Sequence, residues 1–149
     1  MRVKRSPKII NELRLKMPSL SVNESMARAA VAAFCAQLDP SATEIADVKC
    51  AVSEAVTNCI VHAYKEAIGT VYINVKLCEE RTVVIEIRDK GCGIDDVKTA
   101  RQPLFTTDAA NERSGMGFTV MESFCDAVKV RSVQGVGTTV ILVKVFGKR

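Results

Sequence analysis

The chain has 149 residues, 48% of them hydrophobic and 26% charged, a balance that suits one soluble domain able to bury a core without staples. No apolar run reaches membrane-spanning length and the basic start lacks the apolar stretch of a secretory signal, which points to the cytoplasm and away from a membrane. The net charge of +4 gathers at the two ends and aromatic residues make up only 5%, so a nucleic-acid surface with interleaved stacking side chains is not expected.

Residues 1–8 read as a disordered basic start. From Ile9 to Met17, Leu13, Leu15 and Met17 alternate with charges, which predicts a strand, and Pro18 and Ser19 end it. Ser21-Val-Asn-Glu24 has the capping-box pattern and precedes Met26, Ala29, Ala30, Ala33 and Phe34 at helical spacing, so a helix should run to about Leu38. Asp39-Pro40 interrupts the chain, and Ser41-Ala-Thr-Glu44 supplies a second capping box for a helix that should continue to about Lys65. On that helix Ile45, Val48, Val52, Ala55, Val56, Cys59, Ile60 and Ala63 mark the apolar face. Glu54, Asn58 and His62 form a row at i, i+4, i+8 along its border, either as a solvated flank or as the edge of a pocket.

Gly69 opens a strand with Val71, Ile73, Val75 and Leu77 on one face, and Glu79-Glu80-Arg81 turns it into a second strand that ends at Asp89. In that second strand Asp89 falls in phase with Val83, Ile85 and Ile87. A carboxylate aimed at the packed side of a sheet is costly unless something polar meets it, so Asp89 asks for a ligand or a specific partner. Gly91 and Gly93 would let the backbone turn sharply and a bound molecule approach, although D-x-G-x-G alone serves a strand-ending turn equally well. Cys92 lies between them, a passive loop residue or, in an open loop, a reactive thiol.

Periodicity lapses from Asp95 to Asn111 apart from one short helical turn at Asp95 to Ala100, and the mixed run from Arg101 to Asp108 reads as a lid. Arg113-Ser-Gly-Met-Gly117 then leads into Phe118, Val120, Met121 and Phe124 at helical spacing. A glycine-bearing loop entering a helix offers free N–H groups and the positive end of a dipole, which suit phosphate. Two last strands, about Ala127 to Ser132 and Thr138 to Phe146, join through Gln134-Gly-Val-Gly137. No repeat or second domain interrupts residues 1–149. The six cysteines form no C-x-x-C pair and lie mostly in apolar segments, so reduced thiols are expected, and with His62 as the only histidine a zinc site is not.

Four of these stretches, in this order, carry a resemblance. Glu54-Ala-Val-Thr-Asn58 resembles the N-box, Asp89-Lys-Gly-Cys-Gly93 the first glycine box, Arg113-Ser-Gly-Met-Gly117 the second, and Gly137-Thr138 the last motif of the GHKL (Bergerat) ATP-binding fold shared by gyrase, histidine kinases and MutL. The resemblance covers about residues 10 to 146. It implies an α+β fold, a two-layer sandwich with a mostly antiparallel mixed sheet and helices on one face. Ser53 to Asn58, Ala100 to Thr107, Glu112 to Phe118 and Asn23 to Arg28 are especially similar to the bacterial anti-sigma F factors, a family of serine/threonine kinases.

That resemblance implies ATP/ADP and Mg2+ as cofactors. Asp89 would accept from the adenine amino group with Thr138 in support, Asn58 would ligate Mg2+, and Gly91, Gly93, Ser114, Gly115, Met116 and Gly117 would cradle the nucleotide. Arg113 would lie near the γ-phosphate and Glu54 would act as base toward a serine hydroxyl, with residues 98–111 as the lid. The implied partners are the sporulation sigma factor F, an anti-anti-sigma protein phosphorylated on serine, and a second copy bound through the first strand and first helix, with Glu24 and Arg28 facing a partner. A general-stress anti-sigma kinase, or an ATP-gated binding module without catalysis, are the alternatives.

Overall fold

A computed structural model describes residues 6–65, 67–94 and 117–147. The alternating segments become five strands in one sheet: β1 (Ile9–Pro18), β2 (Thr70–Cys78), β3 (Thr82–Asp89), β4 (Ala127–Val133) and β5 (Gly137–Val145), in the order β1-β2-β3-β5-β4. Every pairing is antiparallel, which meets the expectation of a mostly antiparallel sheet and leaves no parallel pair among the described strands. The helices are α1 (Asn23–Cys35), followed by a short 3-10 turn, α2 (Ala42–Asn58) and α3 (Gly117–Phe124).

All three helices lie against one face of the sheet. Val71, Ile73, Val75 and Leu77 of β2, Val83, Ile85 and Ile87 of β3, and Val140 and Leu142 of β5 meet Ala27 and Val31 of α1, Val48, Val52 and Val56 of α2, and Phe118 and Met121 of α3. Each fully buried aliphatic side chain contributes about 1.5–3 kcal/mol, so this shared core holds the layers together. On the opposite face Arg88 and Lys90 flank the ring of Tyr72, at 4.7 and 5.1 Å from its centroid.

The two capping boxes part company. At Ser41 the box is complete: the Ser41 hydroxyl accepts from Glu44 N at 3.1 Å, and Glu44 accepts from Ser41 N at 2.9 Å. The expected box at Ser21 does not form. Helix α1 starts two residues later, Val22 already has helical backbone angles, and no side chain caps the helix. Glu24 turns away instead, accepting from the Ser53 hydroxyl of α2 and pairing with Arg28 at 3.6 Å.

Helix α2 also ends differently from its expected stop near Lys65. At Cys59–Ala63 it widens into a π turn, closed by Tyr64 N donating to Cys59 O at 3.3 Å. The wider turn swings the Ala63 carbonyl toward the loop after β3, where it accepts from Cys92 N at 3.0 Å. The end of the helix is thereby fastened to the first glycine pair.

Candidate nucleotide site

The phase of β3 does set Asp89 inward. It is 6% exposed and stands opposite Thr138 in the β3/β5 ladder. Its Oδ1 accepts from Gly91 N at 2.9 Å and Thr138 N at 3.2 Å, and its Oδ2 from the Cys59 thiol at 3.6 Å. Burial pushes the Asp89 carboxyl above its usual range, opposed by the N–H groups of Gly91 and Thr138 and by the thiol. Burial and the adjacent carboxylate together push the Cys59 thiol well up, so it remains an S–H donor.

The two glycines of the box answer to the protein itself. A methyl group at Gly91 would stand 2.3 Å from Ala63 O, and one at Gly93, where φ is +78°, would stand 2.4 Å from Val133 O. Any side chain at either place would separate the loop from the π turn or from β4. The loop gains further support from side chains. Tyr64 accepts from Lys90 N at 2.7 Å while donating to Thr70 O at 2.6 Å. Ser132 accepts from Ile94 N at 2.7 Å, and its hydroxyl lies 2.8 Å from that of Thr138. Cys92 is exposed, with its thiol 3.4 Å from His62 O.

Across the helical layer, Glu54 and Asn58 of the α2 row border the start of α3. A methyl group placed on Gly117, the first residue of α3, would lie 3.4 Å from both Glu54 Oε2 and Asn58 Nδ2. The start of α3 therefore faces the carboxylate and the carboxamide directly, and both are half-buried. At these two positions the row faces the start of α3 rather than open solvent. His62 is half-buried one turn further on, in the π turn.

Of the expected site residues, Asp89, Gly91, Gly93 and Thr138 come together at one end of β3 and β5, and Glu54, Asn58 and Gly117 meet between α2 and α3. Arg113, Ser114, Gly115, Met116, the lid at 98–111 and the helical turn at 95–100 lie outside the described residues. Glu24 and Arg28 sit apart on α1, Glu24 joined to α2 through Ser53 and Arg28 with its side chain 42% exposed. Three contributors went unforeseen: Cys59, Tyr64 and Ser132. Cys59 was legible in principle, because the apolar phase of α2 and the inward phase of β3 aim it and Asp89 at the same layer. Tyr64 and Ser132 carry no sequence signal of their roles.

The histidine kinase-like ATPase domain matches residues 17–144. The anti-sigma F factor of Caldanaerobacter subterraneus subsp. tengcongensis is 54% identical over 93% of this chain and 96% of its own length. That of Bacillus subtilis is 53% identical over 93% and 94%. The chain belongs to the anti-sigma F factor family of histidine kinase-like ATPases. Among solved structures, the RsbU and RsbW domains of a Mycobacterium tuberculosis protein share the fold at a TM-score of 0.68 and 17% identity, over 94% of this chain and 34% of that one. The histidine kinase domain of a blue-light activated kinase from Erythrobacter litoralis shares it at 0.55 and 17%, over 83% and 61%. The domain is thus a nucleotide-binding, kinase-type ATPase. Among its described residues no helix is long and apolar enough to cross a membrane, and no cluster of metal-ligating side chains stands ready-made.

Proposed function

We propose that this chain is an anti-sigma factor of the cytoplasm that holds a sigma factor of the F type and, using ATP and Mg2+, phosphorylates an anti-anti-sigma protein on serine. The observation that carries the catalytic part is the meeting of Glu54 and Asn58 with the start of α3, where the second glycine box ends. Asn58 offers a neutral carbonyl oxygen beside the helix N-terminus, a donor suited to Mg2+, which when bound offsets phosphate charge. Glu54, one helical turn earlier, takes the proton as the serine oxygen bonds to the γ-phosphorus and the bond to the ADP oxygen breaks. Backbone N–H groups of Ser114 to Gly117 hold the phosphates, and Arg113 offsets charge on the transferring group. Asp89, supported by Thr138, accepts from the adenine amino group.

The partner surface is supported by exposure. Ile9, Ile10, Leu20, Val22 and Met26 are exposed large apolar side chains, all on β1, α1 or the link between them. An edge strand with such neighbours suits a second copy of the chain, and Arg28 beside Glu24 suits a protein partner. The relatives named as anti-sigma F factors, rather than general-stress ones, favour the F type.

The test is incubation with labelled ATP, Mg2+ and the antagonist protein. Phosphoserine on the antagonist is expected, and Glu54→Gln should keep ATP binding while lowering transfer by about 10²–10⁴-fold. ATP binding without phosphoserine would remove the kinase activity from the reading, and equal transfer rates would remove Glu54 from it.

A further inference from the structure

We propose that Cys59 is a positioning residue for base recognition: its thiol fixes the Asp89 carboxylate so that the remaining acceptor direction of Oδ2 meets a 6-amino purine rather than a 6-oxo one. The inference deepens, and rests on, the reading of Asp89 as the adenine acceptor. A carboxylate has about four acceptor directions. Gly91 N and Thr138 N occupy Oδ1, and the Cys59 thiol takes one direction of Oδ2. The two N–H groups belong to the loop and to β5, on the sheet side of the carboxylate. Cys59 comes from the helical layer and is the donor that opposes rotation from there.

The chemistry of the donor matters as well as its place. An S–H group is a weak donor, so it orients the carboxylate while leaving Oδ2 a strong acceptor for an incoming amino group. The π turn makes the arrangement rigid, since Cys59 O accepts from Tyr64 N and the Tyr64 hydroxyl accepts from Lys90 N, directly after Asp89. One turn of backbone thus sets both the carboxylate and the loop that follows it.

The discriminating measurement is the dissociation constant of ATP against that of inosine triphosphate, which presents a 6-oxo group, for the unaltered chain and for Cys59→Ala, Cys59→Ser and Asp89→Asn. The unaltered chain should prefer ATP. Cys59→Ala should cut the preference by about 3- to 10-fold, the worth of one hydrogen bond, through weaker ATP binding with inosine triphosphate unchanged. A purely structural role would weaken both nucleotides alike. Cys59→Ser keeps a donor and should hold more of the preference than Cys59→Ala. An unchanged preference in Cys59→Ala, or equal losses in the alanine and serine variants, would overturn the assignment. If Asp89→Asn keeps the full preference for ATP, the adenine reading of Asp89 fails with it; if Asp89→Asn loses the preference and Cys59→Ala does not, only the role of Cys59 fails.

Discussion

Asp89 places a carboxylate where an apolar side chain would pack better. Burial raises its folded pKa above the ordinary carboxylate value of 3.8. Its contribution to stability is therefore fully present only below that ordinary value and is lost as pH rises through the folded pKa. At neutral pH the ionised group is a cost to the empty protein, one that makes sense if a ligand uses the charge. Asp89→Asn keeps an oxygen for Gly91 N and Thr138 N while removing the charge. In the absence of nucleotide this variant should melt no lower than the unaltered chain, and it should lose the rise in melting temperature that ADP gives. Thermal denaturation with and without ADP reads both effects. A melting temperature well below the unaltered one would show that the charge supports the fold, against this account. Nucleotide affinity of the unaltered chain should also weaken on acidification while exposed carboxylates are still ionised, because protonated Asp89 no longer presents a full acceptor.

At the scale of elements, the two Ser-x-x-Glu patterns are a natural experiment in local against tertiary control. Ser41 and Glu44 cap α2 reciprocally, whereas Ser21 leaves α1 uncapped because Glu24 is drawn to Ser53 and Arg28. Ser41→Ala should cost about 1 kcal/mol and Ser21→Ala no more than about 0.5 kcal/mol, measured as shifts in urea midpoint at constant slope. A larger loss at Ser21 than at Ser41 would reverse the assignment of caps. The same contrast explains what the sequence makes legible. Strands β2, β3 and β5 can be read in advance because a period of two survives packing, and Asp89 can be found because it keeps that phase. The row of Glu54 and Asn58 is visible as a pattern, yet whether it meets solvent or a site depends on where α3 lands. The π turn at Cys59–Ala63, the grip of Tyr64 on Lys90 and the seat of Ser132 under Ile94 depend on segments distant in sequence coming together. No local propensity encodes them. Even the glycines of the first box were only half legible: their need for open backbone space is set by Ala63 and Val133, which the motif does not name.

For the molecule as a whole, the proposed site draws on both layers, so its geometry depends on how firmly the helices are tied to the sheet. Lys144 of β5 is a polar tie at the end of α3. Its ammonium donates to Asp47 Oδ2 of α2 at 3.0 Å and to Phe124 O, at the end of α3, at 2.7 Å, with its side chain only 14% exposed. One cation thus satisfies a helix C-terminus and a carboxylate on the neighbouring helix, joining three elements. Helix α3 is 8 residues long, so fixing its end restricts the position of Gly117 at its start, opposite Glu54 and Asn58. Lys144→Met keeps much of the apolar stem but leaves Asp47 and the Phe124 carbonyl without this donor. The expected loss is about 2–3 kcal/mol in urea denaturation, together with a several-fold weaker affinity for ATP. If stability falls and ATP affinity does not, α3 is held in register without Lys144, for example through the apolar contacts of Phe118 and Met121, and Lys144 acts only on stability. If both fall, while Ser41→Ala lowers stability without touching affinity, the tie at the far end of α3 is part of what builds the nucleotide site.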